Sequence, residues 1–385
     1  MLSRRLYLAR HARIACLSGL LAGSAALVGC SSSHYDPGPT RSVDERRKAF
    51  TIDHEAAAKM GYRFDWMGFP AITGSLPVTF IRPYSDFTVV LEQGSTLSIL
   101  DPNTGQRRCT NQLASPLTRF VGVAREGNMV FVASQGEVFT LDAQTCNLVA
   151  RQKIEHVVNT LPALYNNLLI FGTSYGEIMA HLWSGSVGGV KAWGFLATGT
   201  FEQQPLIVGT AVGAVSRTGD VVFLDAQTGS LLGRNRIYAG LETQPVTDGR
   251  LLFMASLDQS IYAFDPEGGA QVWRYRTAAP LRVQPTVVGD RLYCEIPGQG
   301  LTAFESGTGT VAWTAKGCHG TVIATNKGRL IVWDGATFTQ LDPGRGDVIN
   351  SAAFPNVALI QPEKFSDGNL YVVSKSGVVA KFIPR

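Results

Sequence analysis

Short runs of apolar residues recur along the chain, and each run ends in a polar turn that begins with an acidic residue. The run at 96–100 leads into Asp101-Pro102-Asn103-Thr104-Gly105. This order returns with its acidic residue at Asp101, Asp142, Asp225, Asp265, Glu305 and Asp342. An Asp side chain accepts hydrogen bonds from the backbone just ahead of it, and Gly supplies a positive φ. Each copy therefore predicts the corner of a β-hairpin.

The spacing of these corners predicts a β-propeller. Successive acidic residues are 41, 83, 40, 40 and 37 positions apart, and 83 corresponds to two repeats with a degenerate copy at 182–186. An eighth copy falls at 381–384. A period near 40 with strand patterning is typical of propellers in which each repeat is one blade. We therefore expect an all-β fold, an eight-bladed propeller of four-stranded antiparallel blades.

Each repeat contains four predicted strands, which in the first repeat are 78–82, 88–92, 96–100 and 107–113. The middle strands are almost wholly apolar, as expected where neighbouring blades cover both faces. Gln-Pro pairs mark the inner strands, because proline is tolerated at a strand start or a free edge. These pairs stand at 204–205, 244–245, 284–285 and 361–362. Trp273 and Trp313, each eight residues after its acidic residue, mark the outer strands.

The last repeat is one strand short, because the sequence ends at Arg385. Residues 62–67 read Tyr-Arg-Phe-Asp-Trp-Met and are similar to 271–276, the outer strand around Trp273. We predict that 62–67 forms the outer strand of the eighth blade. This pairing would close the ring and remove the free sheet edges of an open array.

The first 29 residues have the features of a secretory signal peptide. Four Arg residues precede an apolar run at 14–27, which is shorter than the roughly 20 apolar residues of a membrane span. The motif Leu27-Val28-Gly29-Cys30 resembles the bacterial lipobox, in which the signal is cut before a Cys that is then acylated. We predict lipidation at Cys30; the alternative is an ordinary signal peptide with an incidental cysteine. Residues 30–61 are predicted to be a flexible tether and short helix, with Asp53 as a helix N-cap.

The formal charge of the mature chain is neutral. The whole sequence carries +4, and the signal contributes four Arg and no acidic residue, so the charge from Cys30 onward is zero. A neutral domain gives no support for nucleic-acid binding, which needs a basic face, and we expect no nucleic-acid partner.

Four cysteines remain after the signal and Cys30, namely Cys109, Cys146, Cys294 and Cys318. They allow three pairings. Cys109–Cys146 and Cys294–Cys318 are each separated by less than one repeat, and we expect at least one pair to be oxidised in an exported protein. The alternative is that these cysteines are small, buried apolar side chains.

Candidate catalytic motifs have simpler structural interpretations. Gly172-Thr173-Ser174-Tyr175-Gly176 matches the G-x-S-x-G pattern, but that motif must join a strand to a helix, whereas apolar strands flank it here. We interpret it as a hairpin turn. The three His residues of the repeat region, His156, His181 and His319, are not at metalloprotease spacing. We therefore predict no catalytic, metal-binding or cofactor-binding residues.

The repeat, read as Gln-Pro, apolar strand, turn, apolar strand, Leu-Asp-x-x-Thr-Gly and Trp, resembles PQQ-type propeller repeats. With the lipobox and the closing half-repeat at 368–379, residues 62–385 are similar to the BamB family of lipoproteins. The resemblance implies a non-catalytic scaffold, lipid-anchored at the periplasmic face of the outer membrane. It also implies two kinds of partner: the barrel-insertion subunit of the outer membrane assembly machine, and unfolded outer membrane proteins.

In that family, partner contacts come from the connections between blades three and four and between blades four and five. Here these are 196–203 and 237–242, which makes Phe201, Glu202, Leu241 and Glu242 the candidate contact residues. Two alternatives stay open. One is a periplasmic PQQ-dependent quinoprotein oxidoreductase, a class that is longer and has adjacent cysteines and a calcium-binding acidic cluster. The other is a lipoprotein propeller that binds another envelope component.

Overall fold

A computed structural model describes residues 38–183 and 189–385 of the chain. The predicted signal peptide at 1–29, the predicted lipidation site Cys30 and residues 184–186 of the degenerate corner lie outside the described residues. The described residues fall in one unit, Pro37–Arg385.

Eight sheets of four antiparallel strands form eight blades, as the repeat spacing predicts. In blades 1 to 7 the strands follow chain order from the inner to the outer edge. Blade 1 contains β2 (Val78–Pro83), β3 (Thr88–Glu92), β4 (Thr96–Leu100) and β5 (Arg107–Gln112). Blade 2 contains β6 (Phe120–Glu126), β7 (Met129–Ser134), β8 (Glu137–Asp142) and β9 (Leu148–Lys153). Blade 3 contains β10 (Ala163–Tyr165), β11 (Leu168–Gly172), β12 (Glu177–Leu182) and β13 (Lys191–Leu196). Blade 4 contains β14 (Leu206–Val208), β15 (Ala211–Val215), β16 (Asp220–Asp225) and β17 (Leu231–Arg236).

The second half of the ring repeats this plan. Blade 5 contains β18 (Val246–Thr247), β19 (Leu252–Ser256), β20 (Ser260–Phe264) and β21 (Gln271–Arg276). Blade 6 contains β22 (Thr286–Val288), β23 (Arg291–Ile296), β24 (Gly300–Glu305) and β25 (Val311–Ala315). Blade 7 contains β26 (Thr321–Asn326), β27 (Arg329–Trp333), β28 (Thr337–Leu341) and β29 (Val348–Ala353). Blade 8 contains β30 (Val357–Pro362), β31 (Leu370–Ser374), β32 (Val379–Pro384) and, from the N-terminal side of the chain, β1 (Tyr62–Gly68).

The core lies between the blades. Every residue of β11, β15 and β19 is buried, whereas the outer strand β9 alternates between exposed and half-buried positions. This difference follows from position, because the middle strands have a neighbouring blade on each face and the outer strands do not. The sequence interpretation of the middle strands is confirmed.

The Gln-Pro pairs mark the inner strands in two ways. At 204–205, 244–245 and 284–285 the pair comes directly before β14, β18 and β22. In blade 8 the pair also marks the inner strand but lies at its other end, because Gln361 and Pro362 are the last two residues of β30. The inner strand has one free edge in every blade, so proline is tolerated at either end of it.

The corners adopt the predicted turn. The Oδ1 atom of Asp101 accepts hydrogen bonds from the backbone N–H groups of Asn103 and Thr104, both at 2.9 Å. Asp225 holds the equivalent residues Gln227 and Thr228 at 3.1 and 2.8 Å. The glycine that ends each of these turns has a positive φ, 70° at Gly105 and 73° at Gly229.

A tryptophan of one blade packs on the corner glycine of the next blade. We call this arrangement the tryptophan–glycine contact, and its members are Trp66 with Gly105, Trp193 with Gly229, Trp273 with Gly309 and Trp313 with Gly346. A Cβ atom on these glycines would lie 2.3 to 2.6 Å from the indole, so only glycine fits. The indole N–H groups of Trp66, Trp273 and Trp313 also donate to the carbonyl oxygens of Pro102, Ser306 and Pro343, at 3.0, 2.7 and 2.9 Å.

The N-terminal strand closes the ring. β1 pairs antiparallel with β32 from Tyr62 opposite Pro384 to Gly68 opposite Val379. Lys381, which is buried, donates to the carbonyl oxygen of Pro102 in blade 1 at 2.7 Å and lies 3.2 Å from the carboxylate of Asp65. The predicted role of 62–67 as the outer strand of blade 8 is confirmed.

Between residue 38 and β1 the structure has two short helices, α1 (Val43–Lys48) and α2 (His54–Lys59). Asp53 is the N-cap of α2, as predicted, and accepts from the N–H of Ala56 at 2.9 Å. Both helices pack on the propeller. Ala56 and Ala57 of α2 belong to the core of blades 7 and 8, and Arg46 of α1 is only 5% exposed.

One predicted disulfide is present. Cys109 of β5 is bonded to Cys146 in the corner of blade 2, with their Cα atoms 5.8 Å apart. Cys294 and Cys318 are free and buried, as the alternative interpretation of the cysteines expects. Burial raises the pKa of the Cys318 thiol to about 11, so it stays protonated at neutral pH.

Candidate partner-docking surface

One end of the propeller carries all the connections between blades. Because consecutive strands run in opposite directions, the connection into each inner strand and the hairpin turn between the two middle strands lie at the same end. We call this end the connector face. Both segments that the family resemblance implicates, 196–203 and 237–242, lie on it.

Backbone hydrogen bonds fix the connection between blades 3 and 4. The N–H of Ala197 donates to the carbonyl of Gly176 at 2.8 Å, and the N–H of Phe201 donates to the carbonyl of Thr173 at 3.1 Å. The N–H of Thr198 donates to the Oδ2 atom of Asp220 at 2.9 Å. The connection is therefore tied to hairpin turns of blades 3 and 4.

The Asp220 carboxylate that accepts the hydrogen bond from Thr198 is ionised. Burial opposes ionisation, but the hydrogen bonds from Arg234 and from the N–H of Thr198 outweigh it and keep the pKa of Asp220 below its usual value. The guanidinium of Arg234 lies 2.7 Å from the Oδ2 atom of Asp220. This network stays charged at neutral pH.

The connection between blades 4 and 5 is fixed in a similar way. The N–H of Tyr238 donates to the Oδ2 atom of Asp258 at 3.0 Å, and the hydroxyl of Tyr262 donates to the same oxygen at 2.6 Å. The N–H of Leu257 donates to the carbonyl of Gly240 at 3.2 Å. The Arg274 guanidinium lies 5.5 Å from the centre of the Tyr238 ring, within the range of a cation–π contact.

Two of the four candidate contact residues are not at the surface. Phe201 is 0% exposed and Leu241 is 6% exposed, and each belongs to an apolar cluster under its connection. The expectation that these two side chains face a partner is therefore corrected. Their side chains pack into the core and hold the connections in place.

The repeat itself contains the signal for this burial. Val158, Phe201, Leu241 and Leu281 each stand three residues before the residue that precedes proline, and all four are buried. An apolar residue that recurs in these four copies is part of the scaffold. A residue that differs between copies is a better candidate for a specific contact.

The other two candidates, Glu202 and Glu242, are exposed. The carboxylate of Glu202 lies 3.2 Å from the guanidinium of Arg217, and Glu242 pairs in the same way with Arg282. Such exposed ion pairs contribute little to stability and are available to a partner.

The most exposed large side chains on these connections are residues that the sequence reasoning did not select. Leu196, at the end of β13, is 73% exposed, and Tyr238 is 81% exposed. Both depart from the repeat, because Leu196 stands where the next two blades have Arg236 and Arg276, and Tyr238 stands where blade 5 has Ala278. That departure is the signal that could have found them.

The motifs considered for catalysis have structural roles. Residues 172–176 join β11 to β12, which pair antiparallel, so the G-x-S-x-G match is a hairpin turn as predicted. The Nδ1 atom of His156 lies 2.7 Å from the carboxylate of Glu177, and that of His319 lies 3.1 Å from Glu295. Within 38–183 and 189–385, no group of three or more His, Cys, Asp or Glu side chains is placed to hold a metal ion. In the same residues, no helix is long and apolar enough to span a membrane.

Comparisons with known proteins agree with this architecture. No curated protein matches the sequence. Among solved structures, BamB from Moraxella catarrhalis superimposes with a TM-score of 0.61 at 18% identity, over 82% of this chain and 97% of that one. The computationally designed protein Ika8 superimposes with a TM-score of 0.65 at 13% identity, over 83% of this chain and 99% of that one. At these identities the two structures establish the fold alone.

The sequence also matches a family model described as "Outer membrane protein assembly factor BamB". The match covers residues 93–244 and 217–382, which together are well over half of the chain. The repeats, the ring of eight blades and this match agree with one another, and the chain therefore belongs to the BamB family of outer membrane protein assembly factors.

Proposed function

We propose that this protein is a lipid-anchored, non-catalytic docking protein of β-barrel outer membrane protein assembly. It binds the barrel-insertion subunit of the assembly machine through the connections between blades 3 and 4 and between blades 4 and 5. The observation that carries the proposal is the pair of exposed apolar side chains, Leu196 and Tyr238, on two connections whose backbones are fixed.

The chemistry of this surface suits a protein partner. Aromatic and arginine side chains dominate the binding energy of protein interfaces, and Tyr238 lies against Arg274. Because hydrogen bonds already fix both connections, binding loses little conformational entropy. Glu202 and Glu242, each paired with an arginine, add exposed charged groups on the same two connections.

We propose that unfolded outer membrane proteins bind elsewhere, along the outer strands. Each outer strand has one free edge, and the first residues of several outer strands expose apolar side chains. These are Leu148, Val149, Leu231, Leu232, Val272, Val311, Val348 and Ile349. A free edge beside apolar side chains favours the addition of an extended strand, which is the form of an unfolded barrel protein.

We propose that the signal at 1–29 is removed and that an acylated Cys30 holds the protein at the periplasmic face of the outer membrane. The lipobox motif supports this step. The test is to express the full chain and a Cys30→Ala variant and to compare their intact masses and membrane fractionation. Loss of the lipid mass and of membrane association in the variant alone is the expected result.

The docking test uses the full-length protein, purified from outer membranes dissolved in detergent. The parent is expected to co-purify with the barrel-insertion subunit. The double variant Leu196→Asp/Tyr238→Asp is expected to lose most of it, because two carboxylates would have to be buried in the interface.

A matched control variant is Leu117→Asp. Leu117 is 74% exposed on the connection between blades 1 and 2, so this change adds a carboxylate of similar exposure elsewhere on the connector face. The control should retain the partner. Equal recovery in the parent and the double variant would refute the docking site, and failure of the parent to capture the subunit would refute the assembly role.

A further inference from the structure

The disulfide occupies the place of a tryptophan–glycine contact. Cys109 follows Asp101 by eight residues, as Trp273 follows Asp265 and Trp313 follows Glu305. Cys146 follows Asp142 by four residues, as Gly229 follows Asp225 and Gly309 follows Glu305. The two sulfur atoms therefore join the two positions that an indole ring and a glycine occupy at other interfaces between blades.

The backbone supports this equivalence. Cys146 has a φ of 58°, in the left-handed region that the corner glycines occupy at 69° to 77°. A side chain in this region is less favourable than glycine, so a cysteine here calls for a compensating interaction. The bond to Cys109 is that interaction.

The interface between blades 4 and 5 has neither a disulfide nor a tryptophan–glycine contact. Between blades 4 and 5, Gly233 stands at the tryptophan position, and a Cβ atom there would lie 2.3 Å from the backbone of Gly268. Asn235 donates to the carbonyl of Gly269 at 2.9 Å, and the equivalent Asn111 donates to the carbonyl of Cys146 at 2.8 Å. Blades 4 and 5 meet backbone to backbone, whereas between blades 1 and 2 the disulfide fills the gap.

We infer that the Cys109–Cys146 bond is an oxidation-dependent substitute for the tryptophan–glycine contact. The interface between blades 1 and 2 is therefore cross-linked only after export. In this step the two thiols lose two protons and two electrons and form one S–S bond. A disulfide oxidant of the envelope accepts the electrons and is reduced to its dithiol. The described interfaces that carry a tryptophan–glycine contact need no such step.

The test exchanges one arrangement for the other. Thermal unfolding of the purified full chain is followed with and without a phosphine reductant. The parent is expected to lose about 5 °C on reduction, the shift for a few kcal/mol in a domain of this size. The variant Cys109→Trp/Cys146→Gly is expected to unfold at the same temperature with and without reductant, and above the reduced parent.

The matched control is Cys109→Ala/Cys146→Gly, which has neither the bond nor the indole. It should be insensitive to reductant and less stable than the tryptophan variant. Hydrogen exchange of the reduced parent provides a second measurement, with faster exchange expected in β5 and in the corner at 142–147. An unchanged parent after verified reduction would refute the inferred dependence on oxidation. A tryptophan variant no more stable than the alanine control would refute the equivalence.

Discussion

At the scale of single residues, the corner carboxylate and the corner glycine act on different parts of the fold. The carboxylate organises its own turn, as Asp101 does for Asn103 and Thr104. The glycine leaves room for the indole of the preceding blade, as Gly309 does for Trp273. One short motif therefore determines both a hairpin within a blade and the contact between blades.

Adding a side chain at a corner glycine can lower the free energy of unfolding in two ways, by a clash with the indole and by the strain of a positive φ. These two effects can be measured separately. Gly309 and Gly328 share a φ of 71°, but a Cβ atom at 309 would lie 2.6 Å from Trp273, whereas nothing lies within 4 Å of one at 328. Gly328→Ala is expected to cost about 1 kcal/mol of unfolding free energy, and Gly309→Ala about 2 to 4 kcal/mol. Urea unfolding at 25 °C measures both. Equal costs would show that the glycine is required for backbone conformation alone.

The pH dependence of stability tests the carboxylate of Asp101. The hydrogen bond from Arg108, at 2.6 Å, with those of the turn, lowers the pKa of Asp101 to about 2. The contribution of the ionised Asp101 carboxylate to the free energy of unfolding is therefore complete above the unfolded-state pKa of about 4. It is lost as the pH falls through the folded-state pKa. Asp101→Asn is expected to cost about 1 kcal/mol at pH 7 and progressively less toward pH 2.

Urea titrations at several pH values measure this difference. Arg108→Gln should show the same loss at pH 7, and the double variant should lose little more than either single variant because both remove one interaction. A constant difference between parent and Asp101→Asn across the whole pH range would contradict the assignment.

At the scale of elements, the sequence predicts strands well and packing outside the repeat poorly. The predicted strands of blade 1 agree with β2 to β5 within one residue at each end, because turn residues and apolar runs mark each boundary. The docking of α1 and α2 could not be predicted, since these helices lie outside the repeat and their partners are far away in sequence. The burial of Phe201 could have been predicted, but only by comparing it with the equivalent residues of the neighbouring connections, such as Leu241 and Leu281.

Arg46 shows what holds α1 in place. Its guanidinium donates to the carbonyl oxygens of Pro70, Ser376 and Gly377 at 2.9, 3.1 and 2.5 Å, and burial lowers its pKa to about 10. Arg46→Met is expected to leave buried carbonyl groups without donors, at a cost of about 1 to 3 kcal/mol. Hydrogen exchange should then be faster in α1 and at 376–378. The exposed neighbour provides the control, Lys48→Met, and equal exchange in the two variants would rule out this role for Arg46.

At the scale of the whole molecule, the ring depends on pairing between the two ends of the repeat region. Tyr62 lies opposite Pro384 across a strand pair, and the N–H of Arg385 donates to the carbonyl of Gly61 at 2.9 Å. In blades 1, 2 and 4 to 7 the same third and outer strands follow one another through a corner. Blade 8 has the same strand arrangement, but its third strand, β32, and its outer strand, β1, come from opposite ends of the repeat region. No turn joins these two strands.

This geometry predicts that the missing corner can be restored. Three chains are compared by thermal unfolding: 61–385, 69–385, and a permuted chain that begins at 69 and continues from Arg385 through a short Gly-containing linker into 61–68. Without β1, the 69–385 chain leaves the edge of β32 unpaired and Tyr371 without Trp66, and it is expected to aggregate or to unfold at least about 10 °C lower. The permuted chain has the residues of 61–385 in another order, so it should unfold within a few degrees of it. If the permuted chain behaves like 69–385, the position of β1 at the start of the repeat region matters beyond its pairing with β32.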